Sequence, residues 1–179
     1  IKYSSIFVEE LKKQNIISVL KHFPGHGSSL ADSHLGFVDI TDTWNQKELE
    51  PYRYFIANNS VDMIMTAHVF NQNLDKNYPA TLSYNVNTNL LRNKLGFDGV
   101  IVSDDLQMSA ISKHYDLKQT LTLAINSGVN MLLFANQLSK PVSLKEIVDT
   151  VYKQVLNNQI SIEQIIKSNQ RIDRMMSKY

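Results

Sequence analysis

The chain has 179 residues, which fits a single domain, and its 18 basic and 17 acidic side chains leave a formal net charge of +1. This near-neutral charge does not include the excess of basic residues that is typical of nucleic-acid-binding proteins. No run of lysine or arginine residues indicates a patch that would bind a membrane surface. The absence of cysteine excludes disulfides and thiolate metal sites, and no apolar run approaches the roughly 18 residues that span a bilayer.

The predicted elements alternate between helix and strand. The first stretch, IKYSSIFVEELKKQ, has no initiator Met and is not a signal peptide, so we expect a cut or processed polypeptide. Apolar periodicity, capping boxes and terminal glycines predict helices over Ser4 or Ser5 to Gln14, Thr43–Asn59, Asn85–Gly96 and Leu117–Gly128, and from Ser143 and Ser161 onward. Short apolar runs predict buried strands over Ile16–Leu20, Val61–Phe70, Gly99–Leu106 and Val129–Ala135.

This alternation predicts an α/β fold with βαβ units and a parallel sheet, and strands this short are typical of a (β/α) barrel. The sequence contains no G-x-G-x-x-G after a strand and no phosphate-loop motif, which argues against a dinucleotide fold. Four strands make half of an eight-stranded barrel, with two open edges and an apolar face. We therefore expect a partner that covers them, either a missing half-barrel or a second copy of the chain.

A glycine-rich loop, KHFPGHGSSLADSHLGF, follows the first predicted strand and holds three of the chain's five histidines. Asp32 and His34 are two residues apart, so in an extended segment their side chains project to the same side. The carboxylate can then fix the tautomer of the imidazole and raise its basicity, leaving the second ring nitrogen free for proton transfer. The alternative is an aspartate that makes a local turn beside a surface histidine.

Lys21 and His22 are placed at the end of the first predicted strand, where ligands of parallel α/β folds bind. A positive charge there suits a hydroxyl-rich or anionic ligand, and a lysine that snorkels at the sheet edge is the alternative. His22 and His26 are spaced like a metal-binding pair on a helix, but Pro24 and Gly25 prevent that helix. We expect no metal and an imidazole at His26 that holds the loop closed.

Two aspartates, Asp104 and Asp105, directly follow the third apolar strand. Packing alone does not account for two carboxylates beside a buried core, and adjacent strand residues face opposite ways. We expect one of them to react as a nucleophile or base and the other to cap a helix that begins near Ser109.

The segments KHFPGHG, DSH and VSDDLQM, together with MTAHVF and PATLS, resemble the family 3 glycoside hydrolases, specifically the bacterial β-N-acetylglucosaminidases of cell-wall recycling. The resemblance covers essentially the whole chain, so residues 1–179 are expected to be part of one catalytic domain. It implies a TIM-like (β/α)8 barrel in which this chain supplies the C-terminal half, strands five to eight. That agrees with the half-barrel predicted from the alternation of elements.

The resemblance also implies roles for individual residues. Asp104 would be the nucleophile of a retaining hydrolysis that passes through a covalent glycosyl-enzyme intermediate. His34 would be the general acid/base, oriented by Asp32. Lys21 and His22 would bind hydroxyls of an N-acetylglucosamine residue.

His68, in MTAHVF, is expected to line the same pocket. No cofactor is implied, and the expected substrates are peptidoglycan fragments with terminal β-linked N-acetylglucosamine, in the cytoplasm or alternatively the periplasm. A phosphorylase is a second reading, because a histidine acid/base does not repel phosphate. A third is a half-barrel that is inactive alone, since the family's other sugar-binding residues lie upstream of this sequence.

Overall fold

The computed structural model describes residues 1–30, 36–137 and 140–179. Its α-helices are α1 (Lys2–Lys13), α2 (Glu50–Ala57), α3 (Ser109–Ser112), α4 (Leu117–Ser127), α5 (Leu144–Leu156) and α6 (Ile162–Met176). Its strands are β1 (Val19–Phe23), β2 (Val38–Asp39), β3 (Met63–Thr66), β4 (Val69–Phe70) and β5 (Val100–Val102). Short 3₁₀ helices cover Gln46–Leu49 and Ala80–Leu82, and a π-type helix covers Asn85–Lys94.

The central sheet is parallel, in the order β1-β3-β5, and its strands are joined through helices. Ile64 in the middle strand pairs with Leu20 on one side and with Ile101 on the other. Because the helices cover the sheet, Phe23, Ile64 and Ile101 are fully buried. The predicted α/β fold with a parallel sheet is confirmed.

The fourth predicted strand, Val129–Ala135, contributes a single parallel bridge between Met131 and Val102. After this bridge, two backbone amides donate to side chains and not to backbone carbonyls of β5. Leu133 N donates to Ser103 Oγ at 2.9 Å, and Ala135 N donates to Asp105 Oδ1 at 3.2 Å. The prediction of a full strand here was wrong, because polar side chains after β5 take over the ladder's hydrogen bonds.

The first strand begins at Val19 and not at the predicted Ile16. Asn15 adopts the left-handed conformation with φ 55°, and the amide of Ile16 donates to the carbonyl of Leu11 at 2.9 Å. These are features of the turn that follows the C-terminus of a helix, so Ile16 belongs to the turn that ends α1 and not to the strand. The shift of the strand places Lys21 inside it.

The second predicted strand, Val61–Phe70, divides into β3 and β4. Between them, Ala67 donates its amide to the carbonyl of Phe23 at 2.7 Å and accepts from the amide of Thr81 at 3.1 Å. The chain then leaves the central sheet, and β4 forms a separate parallel pair with β2. His68 lies at this change of direction.

The predicted helix over Thr43–Asn59 starts later, at Glu50, with Pro51 in the first turn of α2, where its missing amide hydrogen costs no helical hydrogen bond. Asn45, and not Thr43, caps the preceding 3₁₀ turn by accepting from Lys47 N at 2.9 Å. Gly128, in the left-handed region at φ 106°, ends α4 as predicted.

The last two helices begin where the sequence predicts them. The side-chain oxygen of Ser143 accepts from the amide of Glu146 at 3.1 Å. The side-chain oxygen of Ser161 accepts from the amide of Glu163 at 3.2 Å and not from that of Gln164.

Side chains at the C-terminal end of the chain bind the aspartates that precede β3 and β5. Arg171 and Arg174 of α6 contact the Asp98 carboxylate at 3.0 and 2.8 Å. Lys178 and Tyr179 donate to Asp62 at 2.6 and 2.7 Å. These ties hold α6 against the amino-terminal edge of the sheet, opposite to the edge that carries the predicted site.

Some apolar side chains remain partly exposed where the sheet ends: Val19 on β1 is 38% exposed, and Met131 and Leu133 are each 37% exposed. The expectation that a half-barrel or a second copy covers them stays a prediction. No helix in the described part of the chain is both long and apolar enough to cross a bilayer.

Candidate active site

The carboxyl ends of β1, β3 and β5 bring three predicted site residues to one edge of the sheet. His22 is the fourth residue of β1, His68 follows β3, and Asp104 follows β5. The imidazole Nε2 of His22 lies 3.7 Å from Oδ2 of Asp104. The edge therefore joins an imidazole to a carboxylate although 81 residues separate them along the chain.

Asp104 presents one carboxylate oxygen to the protein and the other to the site. Its Oδ1 accepts from the amide of Asp105 at 2.8 Å, and its Oδ2 faces His22. The side chain is 18% exposed, which leaves it accessible to a ligand. A carboxylate held by one backbone donor and open on its second oxygen has the arrangement that a nucleophile or base requires.

The His22 side chain is 29% exposed. Burial lowers its pKa, and this outweighs the attraction of Asp104; Lys21, His26 and His68 lower it further. The imidazole is therefore neutral at neutral pH, so it offers one donor and one acceptor. A neutral ring of this kind suits hydrogen bonding to a hydroxyl group.

Lys21 is exposed and lines a cavity of about 610 Å³ together with His22, His26 and Tyr52. Asp104 is not among the lining residues, so this cavity adjoins the His22–Asp104 pair from the β1 side and is distinct from the space in front of the carboxylate. The structure thus places Lys21 near the pair without a direct contact to Asp104 among its described interactions.

His68 differs from the other two because it is only 1% exposed. Its Nδ1 lies 2.9 Å from Thr81 Oγ1, and its Nε2 lies 2.8 Å from the carbonyl oxygen of Asp105. Both ring nitrogens are used within the protein, so the expectation that His68 lines a sugar pocket does not fit this geometry.

Asp105 is buried and structural. Its Oδ1 accepts from the amides of Gln107 at 3.1 Å and Ala135 at 3.2 Å, which fastens the turn after β5 to the segment after Met131. The expected helix cap is not formed, because α3 has Met108 at its N-cap position and no side-chain cap. Buried Asp105 Oδ2 has no hydrogen-bond partner among the described residues.

The loop after β1 is fastened by residues that the sequence analysis did not identify. Glu48 accepts from the amide of Gly27 at 3.0 Å and from the hydroxyl of Ser28. The indole of Trp44 donates to the carbonyl of Pro24 at 3.1 Å. A Cβ at Gly25, whose φ is 125°, would lie 2.5 Å from Glu48 Oε2, so the glycine permits this close approach.

Asp32 and His34, the predicted orienting residue and acid/base, lie outside the described residues. Within the described ranges, no three His, Cys, Asp or Glu side chains are grouped so that they would hold a metal ion.

Comparison with known proteins shows the family to which this chain belongs. Residues 1–175 match the glycosyl hydrolase family 3 N-terminal domain. The chain belongs to glycosyl hydrolase family 3. The expected fold, part of a TIM-like (β/α)8 barrel, is thereby confirmed together with the resemblance to the family's β-N-acetylglucosaminidases.

Family 3 relatives match this chain over most of its length. Beta-hexosaminidase A of Pseudoalteromonas piscicida is 31% identical over 96% of the chain, and the beta-hexosaminidase of Tolumonas auensis is 36% identical over 80% of it. The chain spans 31% and 44% of the lengths of these two relatives. The solved family 3 β-N-acetylglucosaminidase of Paenibacillus sp. FPU-7 superposes with a TM-score of 0.84 and 34% identity, covering 95% of this chain and 32% of that one.

Proposed function

We propose that this chain carries catalytic residues of a retaining β-N-acetylhexosaminidase that removes terminal, non-reducing β-linked N-acetylglucosamine from peptidoglycan fragments. The observation that carries the proposal is the His22–Asp104 pair at the carboxyl edge of the sheet, with 3.7 Å between Nε2 and Oδ2. In parallel α/β folds this edge is where ligands bind. The beta-hexosaminidase names of the relatives support the choice of substrate.

In the first step of the proposed reaction, the Oδ2 oxygen of Asp104 attacks the anomeric carbon of the sugar. The bond from that carbon to the leaving oxygen breaks, and His34 donates a proton to the departing alcohol. In the second step His34 takes a proton from water, whose oxygen displaces Asp104 from the anomeric carbon. Two inversions give net retention, and Asp104 returns to its carboxylate form.

Three further residues have supporting roles in this proposal. Asp32 orients the imidazole of His34 and favours its charged form. His22, neutral and partly exposed, exchanges hydrogen bonds with a sugar hydroxyl beside Asp104. Lys21 binds a second hydroxyl from the cavity on the β1 side.

The test uses the full-length gene product and a chromogenic β-N-acetylglucosaminide. Asp104→Ala is expected to lower kcat by at least about 10³-fold, because covalent catalysis loses its nucleophile. Asp149→Ala, which removes an exposed carboxylate that pairs with Lys145, is the matched control and should retain full activity. Hydrolysis by Asp104→Ala at the wild-type rate would overturn the nucleophile assignment.

Two product analyses separate the finer alternatives. NMR of the first-formed sugar should show the β-anomer, whereas the α-anomer would exclude the retaining mechanism. Turnover with inorganic phosphate should still give free sugar, and a sugar 1-phosphate would show a phosphorylase instead.

Added azide should restore turnover of Asp104→Ala, since a small anion fills the space of the lost carboxylate.

A further inference from the structure

His68 is a buried ionisable group close to the proposed site, and both of its ring nitrogens face protein atoms. It lies between β3 and β4, and each ring nitrogen has one partner within the protein. A buried histidine that is fully hydrogen-bonded commonly serves packing alone. Here one partner belongs to the residue next to Asp104, which makes the environment of His68 relevant to the reaction.

The direction of each hydrogen bond follows from the donors available. The Asp105 carbonyl can only accept, so Nε2 of His68 carries the proton. Burial lowers the pKa of His68, which keeps the ring neutral and makes Nδ1 an acceptor. The Thr81 hydroxyl lies 2.9 Å from both Nδ1 and the carbonyl oxygen of Ala67, so its single proton can go to only one of these two acceptors. Because that proton is directed to one of them, Thr66, whose Oγ1 is 2.8 Å from that of Thr81, donates to Thr81.

Asp105 transmits this restraint to Asp104. Its carbonyl is held by His68, and its Oδ1 is held by the amides of Gln107 and Ala135. Its own amide donates to Asp104 Oδ1 at 2.8 Å. Because the carbonyl and the carboxylate are both held, the Cα and the amide nitrogen of Asp105 are held in place with them, which restrains the amide that binds the Asp104 carboxylate.

We propose that His68 is a positioning residue that holds Asp105 in place, so that Oδ2 of Asp104, whose Oδ1 is bound by the Asp105 amide, points into the site. The inference rests on the proposed function, in which Asp104 is the nucleophile. Displacing a reacting atom by about 1 Å can cost about 10²-fold in rate, so loss of this restraint should affect kcat more than substrate binding.

The test compares His68→Gln with His68→Asn in the full-length gene product. A glutamine amide reaches as far as Nε2 and can still donate to the Asp105 carbonyl, whereas an asparagine amide ends near the position of Nδ1. We expect kcat to fall by about 30- to 100-fold in His68→Asn with KM within about threefold, and by less than about fivefold in His68→Gln.

A second measurement isolates the attack by Asp104. A 5-fluoro glycosyl fluoride forms the covalent intermediate without protonation of its leaving group, so its trapping rate, followed by mass spectrometry, does not depend on His34. Trapping should slow in His68→Asn by the same factor as kcat. A packing role alone would lower the folded fraction while the folded molecules kept the wild-type trapping rate.

A second pair of variants covers the case in which His68→Asn does not fold. Thr81→Val removes the hydroxyl that lies 2.9 Å from Nδ1 and from the Ala67 carbonyl oxygen, and Thr81→Ser keeps it. We expect a drop in kcat of about 3- to 10-fold in Thr81→Val and little change in Thr81→Ser.

The outcomes separate this inference from the function on which it rests. Wild-type protein that leaves the glycoside intact, or an active Asp104→Ala variant, overturns the proposed function and this inference with it. Wild-type turnover with equal kcat and trapping rates in both members of each pair overturns the positioning role alone. A rise in KM without a change in kcat also overturns it, since it would assign His68 to substrate binding.

Discussion

Two pairs of side chains at the same sheet edge have opposite surroundings. His22 and Asp104 form the open pair: both are partly exposed, and they face each other at 3.7 Å. His68 and Asp105 form the closed pair: both are buried, and the histidine donates to the aspartate's own carbonyl at 2.8 Å. Each pair joins a histidine from β1 or the end of β3 to an aspartate after β5.

The difference shows how neighbouring residues of one type acquire different tasks. Asp104 and Asp105 are adjacent, yet Oδ2 of Asp104 faces His22 at the site, whereas Oδ1 of Asp105 is bound by two backbone amides. A chemically active group needs an accessible atom, and its neighbours need enough hydrogen bonds to hold that atom in place. The closed pair is thus suited to supporting the open pair.

The largest expected contrast is in the stability of aspartate variants. Asp105→Ala should lower the free energy of unfolding by about 2–4 kcal/mol, because the buried amide of Gln107 and the part-buried amide of Ala135 lose their acceptor. Asp104→Ala should change it by less than about 1 kcal/mol, since its carboxylate accepts from one amide and is partly exposed.

Urea denaturation of both variants measures the difference. Asp105→Asn is the matched control, because an amide oxygen can still accept from the same two donors, and it should fall between Asp105→Ala and the wild type. Equal losses in the two alanine variants would contradict the division into an open and a closed pair.

The second contrast concerns pH. Burial lowers the pKa of both His22 and His68 from 6.5, so the unfolded chain binds more protons than the folded chain just below that pH. The contribution of the two neutral histidines to the free energy of unfolding is therefore fully present above about pH 6.5. It is lost as the pH falls, by up to about 1.4 kcal/mol per pH unit for each histidine.

Urea denaturation at pH 7.5 and pH 5.5 checks the sign and compares the two histidines. His68 is nearly inaccessible, whereas the His22 side chain is 29% exposed. The decrease in the free energy of unfolding between pH 7.5 and pH 5.5 should therefore be smaller in His68→Gln than in His22→Gln. A wild-type protein that becomes more stable on acidification would contradict this prediction.

The smallest contrast lies in the loop beside the open pair. Glu48→Ala removes the acceptor for Gly27 N and the Ser28 hydroxyl and should cost about 1 kcal/mol in local opening. Hydrogen exchange at the Gly27 amide should accelerate roughly fivefold, which is that energy expressed as a rate. Glu48→Gln retains an acceptor oxygen and should show a smaller effect, while unchanged exchange in Glu48→Ala would show that Glu48 does not hold the loop.

The sequence predicted the fold class and the edge at which the site lies, because apolar runs alternate with capped helices and polar residues follow the strands. It did not predict where β1 starts, since the tight end of α1 at Asn15 and Ile16 depends on backbone conformation. It also overestimated the strand at Val129–Ala135, because Ser103 and Asp105 provide side-chain acceptors that no local pattern shows.

For the site, the motifs identified Asp104 and His22 as neighbours of the same edge, and the structure brings them together. They did not distinguish His68 from His22, because both histidines follow apolar runs and only the tertiary partners Thr81 and Asp105 enclose one of them. Glu48 was missed for a similar reason: it lies 21 positions after Gly27 in the sequence, and a glutamate in a helical pattern usually faces solvent.

The ties at the opposite edge of the sheet affect how the protein is made. Asp62 and Asp98 precede β3 and β5, yet their partners are Arg171, Arg174, Lys178 and Tyr179. During synthesis both strands emerge from the ribosome well before residues 171–179, so these two carboxylates wait without the cations that hold them in the finished fold. Docking of α6 is accordingly a late event in folding, which makes residues 171–179 a good position for a probe of complete assembly.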